Sequence, residues 1–191
     1  MWRWPRFLAL LPVAAASFAA ASAEGALPLQ QRLLAPAELS GFAINGPPQI
    51  ARSAEAWYRP KLSGRFKEAA TLRARGFVVG AREQLTGSNA QALSAVIEFK
   101  TARGARVTLG QTLVQLRSGS YALKRFSVSG IPGVQAVATS AVGEKALTIA
   151  FSERRFWYLI SVRYPPHAKK PPARSTVIAS ARALYRRVHR A

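Results

Sequence analysis

One segment constrains this chain's fold more than any other. From Arg155 to Tyr164, Phe156, Tyr158, Ile160 and Val162 alternate with Trp157 and Leu159, so an extended backbone here is apolar on both faces. Such a strand belongs in the middle of a sheet that is covered on both sides. Everything else in the chain has to supply neighbouring strands and two covering layers.

The neighbours are readable from period-two alternation and turn residues. Phe77 to Leu85 and Ala92 to Lys100 are strand-like, and Thr86-Gly87-Ser88-Asn89 between them predicts an antiparallel hairpin. Tyr121 to Ser127, Val134 to Ser140 and Ala146 to Phe151 are three further strands, separated by Gly130-Ile131-Pro132-Gly133 and Val142-Gly143-Glu144. Ser152-Glu153-Arg154 turns tightly into the apolar strand.

The covering layers come from helical spacing. Ser53 caps a short helix that Pro60 limits, and a second starts at Ser63 and stops at Gly76, with Phe66, Ala69, Ala70 and Leu72 on one face. Thr101 caps a third, where Ala105, Leu109, Leu113 and Leu116 form the stripe and which ends near Ser118-Gly119. Gly104 and Gly110 each weaken it by about 1 kcal/mol relative to Ala. After the Pro-rich loop from Pro165 to Pro172, the last helix opens at Ser175 or Pro172 and turns Val177, Ile178, Ala181, Leu184, Tyr185 and Val188 to the core. The expected fold is α+β: an antiparallel sheet of five to six strands covered by helices.

The amino terminus reads differently. Met1 to Arg6 is charged, Phe7 to Ala21 is apolar, and Ala21-Ser22-Ala23 is a small-x-small cleavage site. That order is an export signal, with cleavage near Ala23; as a retained anchor the run is short and is broken by Pro12. The expected organisation is a signal over 1–23, an extended lead-in over 24–50, and one α+β domain over 51–190. Leu33, Leu34, Leu39 and Phe42 tack the lead-in to the core.

Composition then narrows the chemistry. The chain has 191 residues and a formal net charge of +20; it contains no Cys and no Asp, and its two histidines are His167 and His189. Disulfides, thiol nucleophiles, lipidation and a Ser-His-Asp triad are excluded within this chain. The Glu residues form no metal-ligand spacing, and Glu83 and Glu98 read as polar strand positions. No phosphate-binding glycine loop occurs. The expectation is a protein that is not an enzyme, with no metal and no cofactor.

Ala37-Glu38-Leu39-Ser40-Gly41-Phe42, Gly76-Phe77-Val78-Val79-Gly80-Ala81-Arg82-Glu83, Ile131-Pro132-Gly133 and Ala181-Arg182-Ala183-Leu184-Tyr185, together with the element order, resemble the Mog1/PsbP-like α/β/α sandwiches among exported actinobacterial proteins of the LpqN type. Many of those are lipidated, and this chain departs from them in lacking the Cys. The resemblance implies a non-enzymatic accessory or binding protein outside the cytoplasm.

For binding, Lys169, Lys170, Arg174, Arg182, Arg186, Arg187 and Arg190 are the anion-binding candidates, a basic strip leading into and along the last helix. The expected partner is an anionic envelope component or an envelope protein. Export and the lack of a recognised motif argue against nucleic acid. Trp57 and Tyr58 are the aromatic pair expected at the surface, whereas Trp157 and Tyr158 point to opposite faces of their strand. The expected role is an exported, non-catalytic binding or accessory protein of the cell envelope. A subunit of an envelope complex, or a hydrolase using Ser or Glu without His or Asp, are the alternatives.

Overall fold

The structure is a computed structural model and describes residues 27–58, 66–117 and 122–191. The signal, the helix start at Ser63, the helix end at Ser118-Gly119 and the strand start at Tyr121 lie outside the described residues.

The strands are β1 (Phe42–Ile44), β2 (Gln49–Ala51), β3 (Phe77–Gly87), β4 (Gln91–Phe99), β5 (Ala122–Arg125), β6 (Gln135–Ala141), β7 (Glu144–Glu153) and β8 (Phe156–Tyr164). They form one antiparallel sheet in the order β1-β3-β4-β8-β7-β6-β5, with β2 also on β3. The doubly apolar strand is β8, and it lies between β4 and β7.

The sheet has eight strands rather than five to six. β1 pairs with Leu85–Gly87 and β2 with Gly80–Arg82, so the two short strands share one edge position beside β3. Three residues each, divided by Asn45-Gly46-Pro47-Pro48, leave no alternation to read. The stretch read as an extended lead-in thus enters the sheet. Before it does so it makes 3-10 turns at Leu29–Arg32 and Pro36–Glu38, and Leu33, Leu34 and Leu39 are fully buried.

The two layers follow from the pleat. β8 sends Phe156, Tyr158, Ile160 and Val162 into one core cluster, where α4 (Arg174–His189) contributes Val177, Ala181, Leu184 and Val188 and the lead-in contributes its leucines. Phe151 stacks on Tyr158 there at 4.8 Å, and Tyr185 meets Phe151 edge-on. Trp157 goes to the opposite cluster with Ile97 and Phe99, covered by α1 (Ala54–Tyr58), α2 (Phe66–Ala74) and α3 (Ala102–Arg117).

The expected caps are present on α1 and α3: the Ala56 N–H donates to Ser53 Oγ at 3.1 Å and the Gly104 N–H to Thr101 Oγ1 at 3.2 Å. α4 differs, since it starts after Ala173 with no side-chain cap.

The two glycines of α3 are not equivalent. A Cβ on Gly104 runs into the Arg75 carbonyl oxygen at the end of α2 and the Phe99 ring, whereas one on Gly110 meets nothing. Gly104 is where α3 and α2 touch. Gly104→Ala is expected to destabilise by about 1–3 kcal/mol through overpacking. Gly110→Ala is expected to stabilise by about 0.5–1 kcal/mol, through backbone entropy alone. Urea unfolding of the two variants checks the opposite signs.

Candidate functional site

The covering by α1–α3 is incomplete, and the uncovered part of that sheet face is concave. Two cavities of about 580 and 470 Å³ share Trp57, Tyr58, Leu93, Trp157, Leu159 and Arg163 and so make one cleft. Its floor is the outward row of β4 and β8, with Thr148 of β7. Its walls are α1, α2 and α3.

Each wall has a local cause. On α2, Lys67, Thr71 and Arg75 recur at spacing four, so one helical face lines the cleft while Leu72 and Ala69 bind the helix to the core. On α3, Thr108 and Thr112 are one turn apart. Their hydroxyls donate to the carbonyls of Gly104 and Thr108, at 2.9 and 3.1 Å, and Thr112 Oγ1 accepts from Trp157 Nε1 at 3.3 Å. This holds the Trp157 indole edge at the floor. Thr148 and Ser161 share a buried hydrogen bond of 3.0 Å beside it.

Trp57, expected with Tyr58 at the surface, is partly covered in the structure. It is half-buried, and its ring rests on the backbone of Gly80, where a Cβ would lie 2.5 Å from the indole. The Arg82 guanidinium stands 5.6 Å from the ring centroid and donates to the Trp57 carbonyl at 3.1 Å and to Gln49 Oε1 at 3.1 Å. Trp57 and Tyr58 therefore face the cleft, with part of each packed on the α1–α3 core.

The basic residues of the carboxyl-terminal region do not share one task. Arg187 is half-buried and turns inward: its Nε and Nη2 donate to Glu38 at 3.0 and 2.7 Å, and its other donors reach the Gln31 and Leu33 carbonyls. It fastens the lead-in to α4. Arg182 donates to the Ser129 carbonyl at 2.9 Å and to Ser129 Oγ, and Arg174 lies over the Phe126 ring at 5.0 Å. Lys169, Lys170, Arg186 and Arg190 are exposed and pair with no carboxylate among the described residues. His189 instead meets Glu153 at 3.0 Å.

A second polar group lies under the lead-in, on the opposite sheet face. Arg32 is buried, donates to the Tyr158 hydroxyl and the Leu27 carbonyl at 3.0 Å each, and rests on the Phe156 ring at 3.9 Å. Burial raises the Tyr158 phenol above its ordinary range, and the Arg32 charge opposes that shift. Glu83, read as a polar strand position, is buried between Ala81 and Leu85. Its Oε1 has no partner, and desolvation pushes its carboxyl up to about 7 against the pull of Arg187.

No family model matches the chain, and no curated protein is similar to it in sequence. Among solved structures, the extracellular domain of PknH from Mycobacterium tuberculosis is similar over 85% of this chain and 95% of its own, with a TM-score of 0.57 at 13% identity. An uncharacterised Mycobacterium smegmatis protein aligns over 86% of this chain and 97% of its own, with a TM-score of 0.46 at 11% identity. The PknH likeness is one of fold, the open antiparallel sheet with helices that the residues above build. Among the described residues, no helix is long and apolar enough to cross a membrane.

Proposed function

We propose that this chain is an exported, non-catalytic binding domain of the cell envelope, built as a Mog1/PsbP-like sandwich, whose ligand occupies the cleft between the sheet and α1–α3. The observation that carries this reading is the cleft itself: aromatic groups fixed from below, by Gly80 and Thr112, beside side-chain hydroxyls on two helices and two strands. Concave sites with an apolar lining and a few placed polar groups are the usual form of a ligand pocket. The leader over 1–23 and the likeness to an extracellular domain support export. A chain with no Asp or Cys, and a cleft with no His among the described residues of its walls, supports binding without turnover.

The test blocks the cleft. Thr71 is exposed on the α2 wall, so Thr71→Trp fills the opening without touching the core. Titration with the fluorescent probe 1-anilinonaphthalene-8-sulfonate is expected to show saturable binding to the parent chain, at least about tenfold weaker in the variant. Equal binding by two chains of equal stability overturns the assignment. Export is checked by the mass of the chain recovered outside the cytoplasm, which should lack residues 1–23.

Exposed Lys169, Lys170, Arg186 and Arg190 favour a second reading, in which an anionic surface is met through α4. Its test is charge reversal at Arg182, Arg186 and Arg190, with binding to anionic vesicles as the readout.

A further inference from the structure

The charges in the cleft narrow the class of ligand, an inference that rests on the cleft being the binding site. Lys67 and Arg75 lie on its α2 wall and form no ion pair with any described carboxylate. Arg163, at the far end of β8, borders both cavities and among the described carboxylates meets Glu144 alone, loosely, at 3.8 Å. Among the described residues, these three cations face the same space, and Arg82, held on the Trp57 carbonyl and Gln49, borders it as a fourth.

One carboxylate opposes them. Glu68 follows Lys67 on the same wall, and its Oε2 is buried with no hydrogen-bond partner. Glu83 also borders the cleft, but it alternates in phase with Ala81 and Leu85, so its carboxylate belongs to the opposite sheet face. A buried acceptor left without a donor is costly, and a ligand hydroxyl that the half-buried Glu68 side chain turns to meet removes the cost. A cationic ligand suits Glu68 alone and is repelled by Lys67, Arg75 and Arg163. Between these polar points, Trp57, Leu93, Trp157 and Leu159 make a continuous apolar path.

We infer that the cleft takes an acidic lipid with a hydroxyl-bearing head group: the anion on Lys67, Arg75 and Arg163, a hydroxyl donating to Glu68, and the acyl chain along Trp57, Trp157 and Leu159. A neutral amphiphile leaves the three cations unused. A small polar anion leaves the aromatic path wet.

The experiment is a tryptophan-fluorescence titration of the purified chain with monomeric lysophosphatidylglycerol. Lysophosphatidylcholine of the same chain length and dodecyl maltoside are the comparisons. Lysophosphatidylglycerol is expected to bind at least about tenfold more tightly than either, and Lys67→Glu with Arg75→Glu is expected to erase that preference. Equal affinity for all three amphiphiles, still blocked by Thr71→Trp, overturns the ligand class and leaves the cleft assignment standing. Binding of all three that Thr71→Trp does not affect overturns the cleft. A preference erased by Arg182→Glu, Arg186→Glu and Arg190→Glu, and kept by the α2 variant, overturns the inference and moves the anion site to α4.

Discussion

Glu83→Gln is expected to raise the stability of the fold by about 3 kcal/mol at pH 8 and by almost nothing at pH 4. Glu83 is 5% exposed in the middle of β3, and burial moves its carboxyl from an ordinary 4.5 to about 7. A group whose folded pKa lies above its unfolded value holds its proton more tightly when folded. Its stability contribution is complete below about pH 4.5 and is lost as the pH rises to about 7. At about 1.4 kcal/mol per pH unit, a rise of this size costs roughly 3 kcal/mol once both states are ionised. Glutamine keeps the shape and removes the charge. Urea unfolding at pH 4, 6 and 8 reads the effect directly, and the same gain at all three values would show that charge is not its cause.

The second large effect is a loss. Arg187→Met is expected to destabilise by about 3 kcal/mol, because it strands Glu38 and two carbonyls of the lead-in at once. Glu38 Oε2 also accepts the Ala35 N–H at 2.8 Å, so the carboxylate closes its own turn as well as holding α4. Partial exposure of the pair keeps the loss below that of a fully buried bridge. Hydrogen exchange should accelerate at Leu33 and Leu34 before the sheet amides respond. Glu38→Gln added to Arg187→Met is expected to cost less than the sum of the two, and strict additivity would mean that the pair is not coupled. Removing Arg187 also removes the charge that holds the Glu83 carboxyl down, so the upper end of the pH range over which stability falls should move upward in the variant.

Side-chain alternation made the strands legible, and β8 above all, because a strand that is apolar on both faces over most of its length has one solution in a covered sheet. The stripes of α3 and α4 were legible for the same reason. β1 and β2 were not, since three residues carry no period; Leu33, Leu34 and Leu39 were readable as the anchors of the lead-in, but the 3-10 turns that place them were not. For the site, the sequence shows Lys67, Thr71 and Arg75 as a polar helical face, which is what a solvated face also looks like. What decides between the two is the docking angle of α2 on the sheet, set by contacts such as Gly104 on the Arg75 carbonyl. Arg187 carried no mark distinguishing it from Arg186, one position away. The helix turn assigns one to solvent and the other to Glu38.

The divided edge formed by β1 and β2 bears on how copies of the chain meet one another. An open sheet ends in unpaired backbone groups, which recruit strands from other molecules when the edge is long and flat. Here one edge is interrupted by Asn45-Gly46-Pro47-Pro48, and the other is the four-residue β5, which carries Lys124 and Arg125. A passing strand finds no run of hydrogen-bonding groups at the first and meets positive charge at the second. Neither edge of the described sheet therefore offers a strand from another copy a long, flat and uncharged run to pair with.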